Sequence, residues 1–295
     1  MVFGSAAFFK FMLVAVGVYW LTPSRHRWIA LLVLSLAYYA GFKVPLLLAI
    51  LVVVGTVAWY AAIAIHDSDR ESTQRRWLFI GVSLIVTELA LVRVFVRASD
   101  WWPSLPNWLR MGSAIGTSYF SLQAIAYVAD VYFGKLKPER NLARVLTSLA
   151  FFPKIAQGPI ERGARLLPQL REMNTPDYPV LRSAVLLFGW GLFKKSVLAD
   201  RLGAVVDPVY GSPGQFSGFA PILATYAYAF QLYFDFSGYT DMARGCARFF
   251  GVDLTENFRA PYLANSIIEF WRRWHISFSK WLLDYVFRPL LSTAT

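Results

Sequence analysis

Long apolar runs, interrupted mainly by short basic loops, decide what this chain can fold into. A hydrocarbon core of about 30 Å takes about 20 mostly apolar residues to cross as helix. Ser5 to Leu21, Val44 to Ile65, Trp77 to Val96 and Ser113 to Phe133 come close to that length or exceed it. Trp28 to Phe42 is shorter, yet Arg25 and Arg27 can snorkel at its start and Gly41 and Pro45 mark a turn after it, so it fits as a span hairpinned to the next. Pro179 to Leu198 and Phe219 to Phe236, separated by a Gly/Pro/Ser-rich loop from Asp207 to Gly218, supply a sixth and a seventh. Leu142 to Ile160 is also apolar, but Pro153, Lys154 and Gly158-Pro159 break it. Irregular backbone at membrane depth survives only when buried in protein or lining a cavity, so this stretch reads as re-entrant or interfacial. The expected fold class is all-α, a polytopic integral membrane protein.

Composition agrees. At 57% hydrophobic and 16% charged, the 295 residues lie outside the range of soluble domains, which are about 45–50% apolar and about 25% charged. The first run is not a cleaved signal: Lys10 interrupts it, no basic region precedes it, and Leu21-Thr22-Pro23 lacks a small-x-small site. One cysteine, Cys246, cannot form an internal disulfide, and three histidines are too few for a Cys- or His-rich zinc site, so no metal is expected. The 29 Lys and Arg against 18 Asp and Glu, +11 net, are spread between apolar runs and not gathered on one face. The charge is therefore read as topology, and no nucleic-acid partner is expected.

The loops after runs one, three and five hold Arg25 and Arg27; Arg70, Arg75 and Arg76; and Lys135, Lys137, Arg140 and Arg144. The opposite side holds only Lys10, Lys43, Arg97 and Arg110. The positive-inside rule then puts the first set in the cytoplasm and the N-terminus outside. Trp101, Trp102 and Trp108 fit an interfacial belt on the outer side. No internal repeat, P-loop or dinucleotide-binding glycine pattern is present.

The densest polar chemistry adjoins the densest aromatic content. Asp235, Ser237, Tyr239 and Asp241 lie at the end of the seventh run, where a charge must be paired or face water. Two readings stay open. Ser237 or Thr240 can cap a following helix with Asp241 at its positive end, paired with Arg244; or the set lines a cavity. Ser266 to Glu269 is a capping box that predicts one helix running toward Arg288-Pro289. On that helix Trp271, Trp274, Phe278, Trp281 and Tyr285 share an arc of about 80° opposite Arg273, Ser277, Lys280 and Asp284. A helix of this kind fits the cytoplasmic interface, with Glu269 and Arg273 as an i, i+4 pair. His275 stands at the stripe's margin, beside Arg272 and one turn before Ser279, and by spacing alone is structural or catalytic. His26 and His66, in charged loops, read as solvated.

These stretches resemble the membrane-bound O-acyltransferase family, in particular its bacterial branch of alginate and peptidoglycan O-acetylation proteins. The resemblance rests on Phe234-Asp-Phe-Ser-Gly-Tyr-Thr-Asp-Met-Ala, Glu256-Asn-Phe, Pro261-Tyr-Leu-Ala-Asn-Ser-Ile, Glu269-Phe-Trp-Arg-Arg-Trp-His-Ile-Ser-Phe-Ser and Asp284-Tyr-Val-Phe. Two earlier stretches join them: Ser118-Tyr-Phe-Ser-Leu-Gln-Ala-Ile-Ala-Tyr-Val-Ala-Asp-Val-Tyr and Phe152-Pro-Lys-Ile-Ala-Gln-Gly-Pro-Ile-Glu-Arg.

The resemblance implies a ring of transmembrane helices around re-entrant helices and a tunnel, in the bacterial inner membrane. It implies transfer of an acetyl group from acetyl-CoA or another cytoplasmic acyl thioester, used as substrate with no bound cofactor, toward hydroxyls of an extracytoplasmic polysaccharide. A separate extracytoplasmic acetyltransferase or polysaccharide-modifying partner is expected to complete delivery. His275 matches the first of the family's two characteristic histidines and is the expected catalytic residue. Tyr119, Gln123, Asp235, Ser237, Tyr239, Asp241, Asn257, Arg272, Arg273 and Ser279 are expected at the substrate or along the tunnel. The second histidine is expected several tens of residues further on in a Trp-His-Gly-like motif, and a Pro-Leu-Gly-Gly-Asn-like continuation is usual after Pro289. Here the sequence reads Pro289-Leu-Leu-Ser-Thr-Ala-Thr. Residues 1–295 are thus expected to form a single transmembrane acyltransferase domain lacking the family's C-terminal part, and not to catalyse transfer alone. Two other readings compete: a D-alanyl transferase of the same fold, and a non-catalytic membrane scaffold or transporter.

Overall fold

In the computed structural model, residues 3–42, 44–101, 115–173 and 175–292 are described, and among them every regular element is helical. Helix α1 (Ala6–Leu21) starts where Ser5 Oγ accepts the amide hydrogen of Phe8 at 3.2 Å. Helices α2 (Arg27–Ala40), α3 (Pro45–His66), α4 (Glu71–Trp101) and α5 (Thr117–Tyr132) follow the next four apolar runs. Proline at the first turn of α3 suits a position whose amide has no helical acceptor. Among the described residues two helices, Pro45–His66 and Glu71–Arg97, are long and apolar enough to cross a membrane. The expected belt residues Trp102 and Trp108, the start of the fifth run at Ser113, and Lys43 and Arg110 lie outside the described residues.

Helix α5 is buried almost all round, from Phe120 to Val131, with α3 and α4 packed on it. That makes it a core helix, as an apolar circumference requires. Helix α6 (Leu142–Ala150), capped by Asn141, and α7 (Gly163–Arg171) flank an irregular turn whose residues 151–155 are all buried. The expected broken segment is therefore present and enclosed by protein.

Helix α8 (Tyr178–Phe193), capped by Asp177, passes into a π-helical turn over Lys194–Ala199 and then into α9 (Asp200–Gly211). Helix α10 (Phe219–Arg248) packs antiparallel on α8 and beside α9. Its length corrects the expected end of the seventh run at Phe236. The helix continues for twelve further residues because the polar ones find partners on α8 and its π turn and do not stop the backbone ladder. Ser237 and Thr240 are thus mid-helix, and the capping reading falls; Asp241 keeps its pairing with Arg244, at 3.5 Å.

A second correction concerns the stretch from Ser266 to Pro289. The capping box forms, with Ser266 Oγ taking the amide hydrogen of Glu269, and Glu269 pairs with Arg273. The helix then stops. It is divided into α11 (Ile267–Arg273) and α12 (Ile276–Leu282), followed by a π-helical turn over Leu283–Phe287 and α13 (Arg288–Ser292). His275 at φ 41° forms the break. The expected continuous stripe is consequently split: Trp271 is half exposed, whereas Trp281 is buried and donates from Nε1 to the carbonyl of Leu122 at 2.8 Å. One continuous amphipathic helix is not what these residues form.

The basic loops gather at one end of the bundle. Arg140 pairs with Asp67, Arg144 lies 5.2 Å over the Trp28 ring, and Tyr19 donates to the carbonyl of Phe250. The loops after α1, α3 and α5 thus share a side with the end of α10. His26 and His66 are exposed there.

Candidate functional site

The break at His275 is built by a neighbouring segment of chain. After α10 the backbone runs extended past Asn257, which is buried. Its carbonyl accepts the amide hydrogen of Ile276 at 2.9 Å, and its Oδ1 accepts that of Ser277 at 3.1 Å. Ser277 Oγ in turn accepts the amide hydrogen of Ile160 at 3.0 Å, and Arg259 donates its amide to the carbonyl of Arg273 at 3.0 Å. These bonds take the amide donors that a continuous helix would use and turn the chain at His275. A left-handed conformation at a non-glycine residue costs about 1–3 kcal/mol, and the surrounding bonds hold it there.

The imidazole sits among aromatic rings. Phe236 of α10 meets it edge-on at 4.7 Å between centroids, and Phe278 lies at 5.2 Å. His275 Nε2 and Asn257 Nδ2 are buried with no hydrogen-bond partner among the described residues. Buried polar atoms are almost always satisfied by protein or by ordered water, so these two atoms at one turn are open to a further partner.

A second polar group lies along α10. Lys194 Nζ donates to Asp241 Oδ2 at 2.5 Å and to Ser237 Oγ at 3.3 Å, while Lys195 Nζ contacts Asp235 and Asp200, each at 2.7 Å. The π turn presents these adjacent lysines to α10, the kind of local irregularity found at functional sites. Asp241 is seven residues from the end of α10, about 10 Å along the axis, so the charges lie well inside the helix. Sequence reasoning found the aspartates and missed their partners, because two lysines after an apolar run look like loop charges.

The remaining expected residues separate. Gln123 accepts from Lys154 Nζ in the interior; Tyr119 and Tyr239 pack against the apolar core, with Tyr239 4.5 Å from the Phe3 ring. Arg273 is engaged by Glu269 and by the carbonyl of Ala260. Ser279 Oγ donates to the carbonyl of Trp274 at 3.1 Å. Lys154 and Glu161 entered the sequence reading only within the stretch from Phe152 to Arg162 that resembles the family, with no role assigned, yet both are buried.

Arg272, Ser279 and Ile276 border a groove of about 1230 Å³. Its polar wall carries Arg165, Arg244, Arg248, Arg259, Arg272 and Lys280 against the acids Asp253 and Glu256; its apolar wall includes Trp271 and Leu282. Asp253 pairs with Arg165 and Arg248, and Glu256 with Arg259, so the groove keeps a surplus of positive charge. It reaches the end of α10 that adjoins the basic loops, and Ile276 links it to the histidine break. Among the described residues no three His, Cys, Asp or Glu side chains come together as a metal site would need.

The chain is 35% identical to a probable alginate O-acetylase AlgI of Pseudomonas fluorescens over 98% of its own length and 57% of that protein. It is 31% identical to a peptidoglycan O-acetyltransferase of Helicobacter pylori over 88% of its length and 55% of that protein. With a teichoic acid D-alanyltransferase of Streptococcus thermophilus it shares 29% over 81% of its length and 57% of that protein. It spans a little over half the length of these relatives. The sequence pattern of the membrane-bound O-acyltransferase family, MBOAT, matches residues 73–294. With the enclosed irregular turn and the histidine break inside that span, the chain is a membrane protein and belongs to the membrane-bound O-acyltransferase family.

Proposed function

We propose that these residues form the acyl-transfer core of a multi-pass inner-membrane protein that moves an acetyl group from a cytoplasmic thioester to hydroxyls of an extracytoplasmic polysaccharide, alginate-like or peptidoglycan. The observation that carries this reading is His275: a buried imidazole at a forced turn, walled by aromatic rings, with Nε2 lacking a partner among the described residues. A hydroxyl attacking a thioester carbonyl must lose its proton as the C–O bond forms. His275 Nε2 takes that proton and returns it to the departing thiolate when the C–S bond breaks, a role worth about 10²–10⁴-fold in rate. Asn257 Nδ2, the second orphan, is a donor available to the carbonyl oxygen as charge develops there. The cationic groove suits a thioester carrying phosphate, with Arg272 and Lys280 at the anion and the apolar wall along its arm. Asp235, Ser237 and Asp241 line the path beyond, and an extracytoplasmic partner completes delivery.

The test compares O-acetyl esters on surface polysaccharide in cells carrying the whole protein with or without His275→Ala. Transfer should fall by about 10²–10⁴-fold at matched protein level. Loss of D-alanyl esters alone would favour the second reading, which the similarity to teichoic acid D-alanyltransferases supports. Orientation is tested separately: with the N-terminus outside, Ser72→Cys and Lys137→Cys resist an impermeant thiol reagent in intact cells, and strong labelling of both reverses the topology.

A further inference from the structure

Between α5, α6 and the turn leading into α7 the packing leaves an internal gap. Gln123, Tyr127, Ser148 and Glu161 line it together with Val145 and Leu167, and all six are buried. The gap leaves about 10 Å³ for the centre of a water molecule, which is about what one water needs. Two side-chain atoms of this lining have no partner among the described residues: Gln123 Nε2, a donor, and Glu161 Oε2, an acceptor. Their companion atoms are occupied. Gln123 Oε1 accepts from Lys154 Nζ, and Glu161 Oε1 accepts the amide hydrogen of Thr255. Tyr127 already accepts from the amide of Glu139, which leaves its hydroxyl hydrogen to donate. Apolar gaps stay dry, whereas one with a free donor, a free acceptor and two hydroxyls meets the two to four partners a buried water requires.

We propose that one water molecule occupies this gap, accepting from Gln123 Nε2 and donating to Glu161 Oε2, and that through it Glu161 is a positioning residue for the turn at His275. Neither half depends on acyl transfer. Glu161 follows Ile160, whose amide hydrogen goes to Ser277 Oγ. It also holds Thr255, two residues before Asn257, whose carbonyl and Oδ1 take the amides of Ile276 and Ser277. Both stretches of chain that grip the histidine turn therefore start at this carboxyl. The water anchors it to α5, and Lys154 secures Gln123 from the other side.

The experiment uses the full chain in lipid nanodiscs. A map fine enough to show ordered water should contain one peak within hydrogen-bond reach of Gln123 Nε2 and Glu161 Oε2; an empty gap overturns the proposal. Hydrogen exchange then reads the positioning. Glu161→Leu should speed exchange of the Ile276 and Ser277 amides about tenfold, as the loss of one supporting bond implies, while α3 amides stay protected. Glu161→Gln, which keeps an acceptor for Thr255 and a polar face for the water, should restore protection. If Glu161→Leu does not fold, Ser148→Val fills the gap with carbon and should loosen the same amides. Unchanged exchange at Ile276 and Ser277, an equal rise in α3, or failure of Glu161→Gln to rescue sinks the idea.

Discussion

The packing of α3, α4 and α5 and the packing of α8, α9 and α10 solve the same problem differently. In the first group apolar side chains interlock: Leu47, Leu51, Val54, Ala58 and Ala62 of α3 are buried, and charge gathers near helix ends. The exceptions, Glu88 and Arg93 of α4, reach neutral partners on α5, Ser121 at 3.0 Å and Ser118 at 2.5 Å. In the second group lysines from the π turn meet aspartates in the middle of α10. Buried ion pairs are weak evidence for stability, since desolvation offsets most of their attraction. A membrane helix that carries them is shaped for something besides persistence. The first group is scaffold, and the second is where irregular backbone and paired charge accumulate next to the histidine turn through Phe236.

The sharpest way to break this contrast is to remove one charge from the second group. Lys194→Met leaves Asp241 with only Arg244 at 3.5 Å and should destabilise the protein by about 3–5 kcal/mol, as breaking a buried pair does. Adding Asp241→Leu to the same chain should recover part of that loss, because the stranded carboxylate is gone while Arg244 loses its ion-pair partner. Thermal denaturation in one detergent checks both. A double variant as unstable as the single one means that the pair is a stabilising element after all.

The glycines give the next largest effect. A methyl group added at Gly245 of α10 lies 2.7 Å from the backbone nitrogen of Phe188 and 2.8 Å from the carbonyl oxygen of Ala184. Helices α8 and α10 thus touch backbone to backbone, the close approach that small residues permit in membranes. At Gly55 of α3 the same methyl meets the end of the Leu146 side chain, which can turn away, and touches Leu149 Cδ1 at an ordinary 3.4 Å. Gly245→Ala should cost about 1–3 kcal/mol despite its better helix propensity, while Gly55→Ala stays within about 1 kcal/mol of neutral. Gly189→Ala, with nothing within 4 Å, is the control on α8. Equal costs at Gly245 and Gly55 remove the distinction between the two packings.

The same contrast explains what could be read in advance. Apolar run length reports a helix that answers only to lipid and apolar neighbours, so α1 to α5 fall close to the expected spans. It fails where a distant segment competes for backbone donors. The capping box at Ser266 is correct, yet nothing local foretells that Asn257 will take the amides of Ile276 and Ser277 and end the helix at His275. The stop expected after Phe236 fails for a related reason, since polar residues terminate a helix only when no partner waits across the interface. His275 and Asn257 were legible through resemblance to a family, because their roles depend on tertiary contacts that spacing does not encode. Glu161 and Lys154 were hidden by the irregular turn that buries them.

The smallest effect sits where the scaffold meets water. Arg140 donates Nη1 to Asp67 Oδ2 at 2.8 Å and Nη2 to Oδ1 at 2.6 Å, joining the loop after α3 to the loop after α5. These hydrogen bonds, with the charges of Arg140 and His66, hold the Asp67 carboxyl below its ordinary value of 3.8 against a smaller upward push from desolvation. A carboxyl depressed in the fold stabilises fully above its unfolded value and loses that contribution as pH falls through its folded one. Both side chains are exposed, so salt screens the pair and its contribution is small. Asp67→Asn should therefore lower the melting temperature slightly at neutral pH. The gap from the parent protein should start to close below the ordinary carboxylate range, near about pH 4, and vanish in strong acid. High salt at neutral pH should shrink it as well. A gap that persists in acid and salt means that the loops are held by shape and not by this fork.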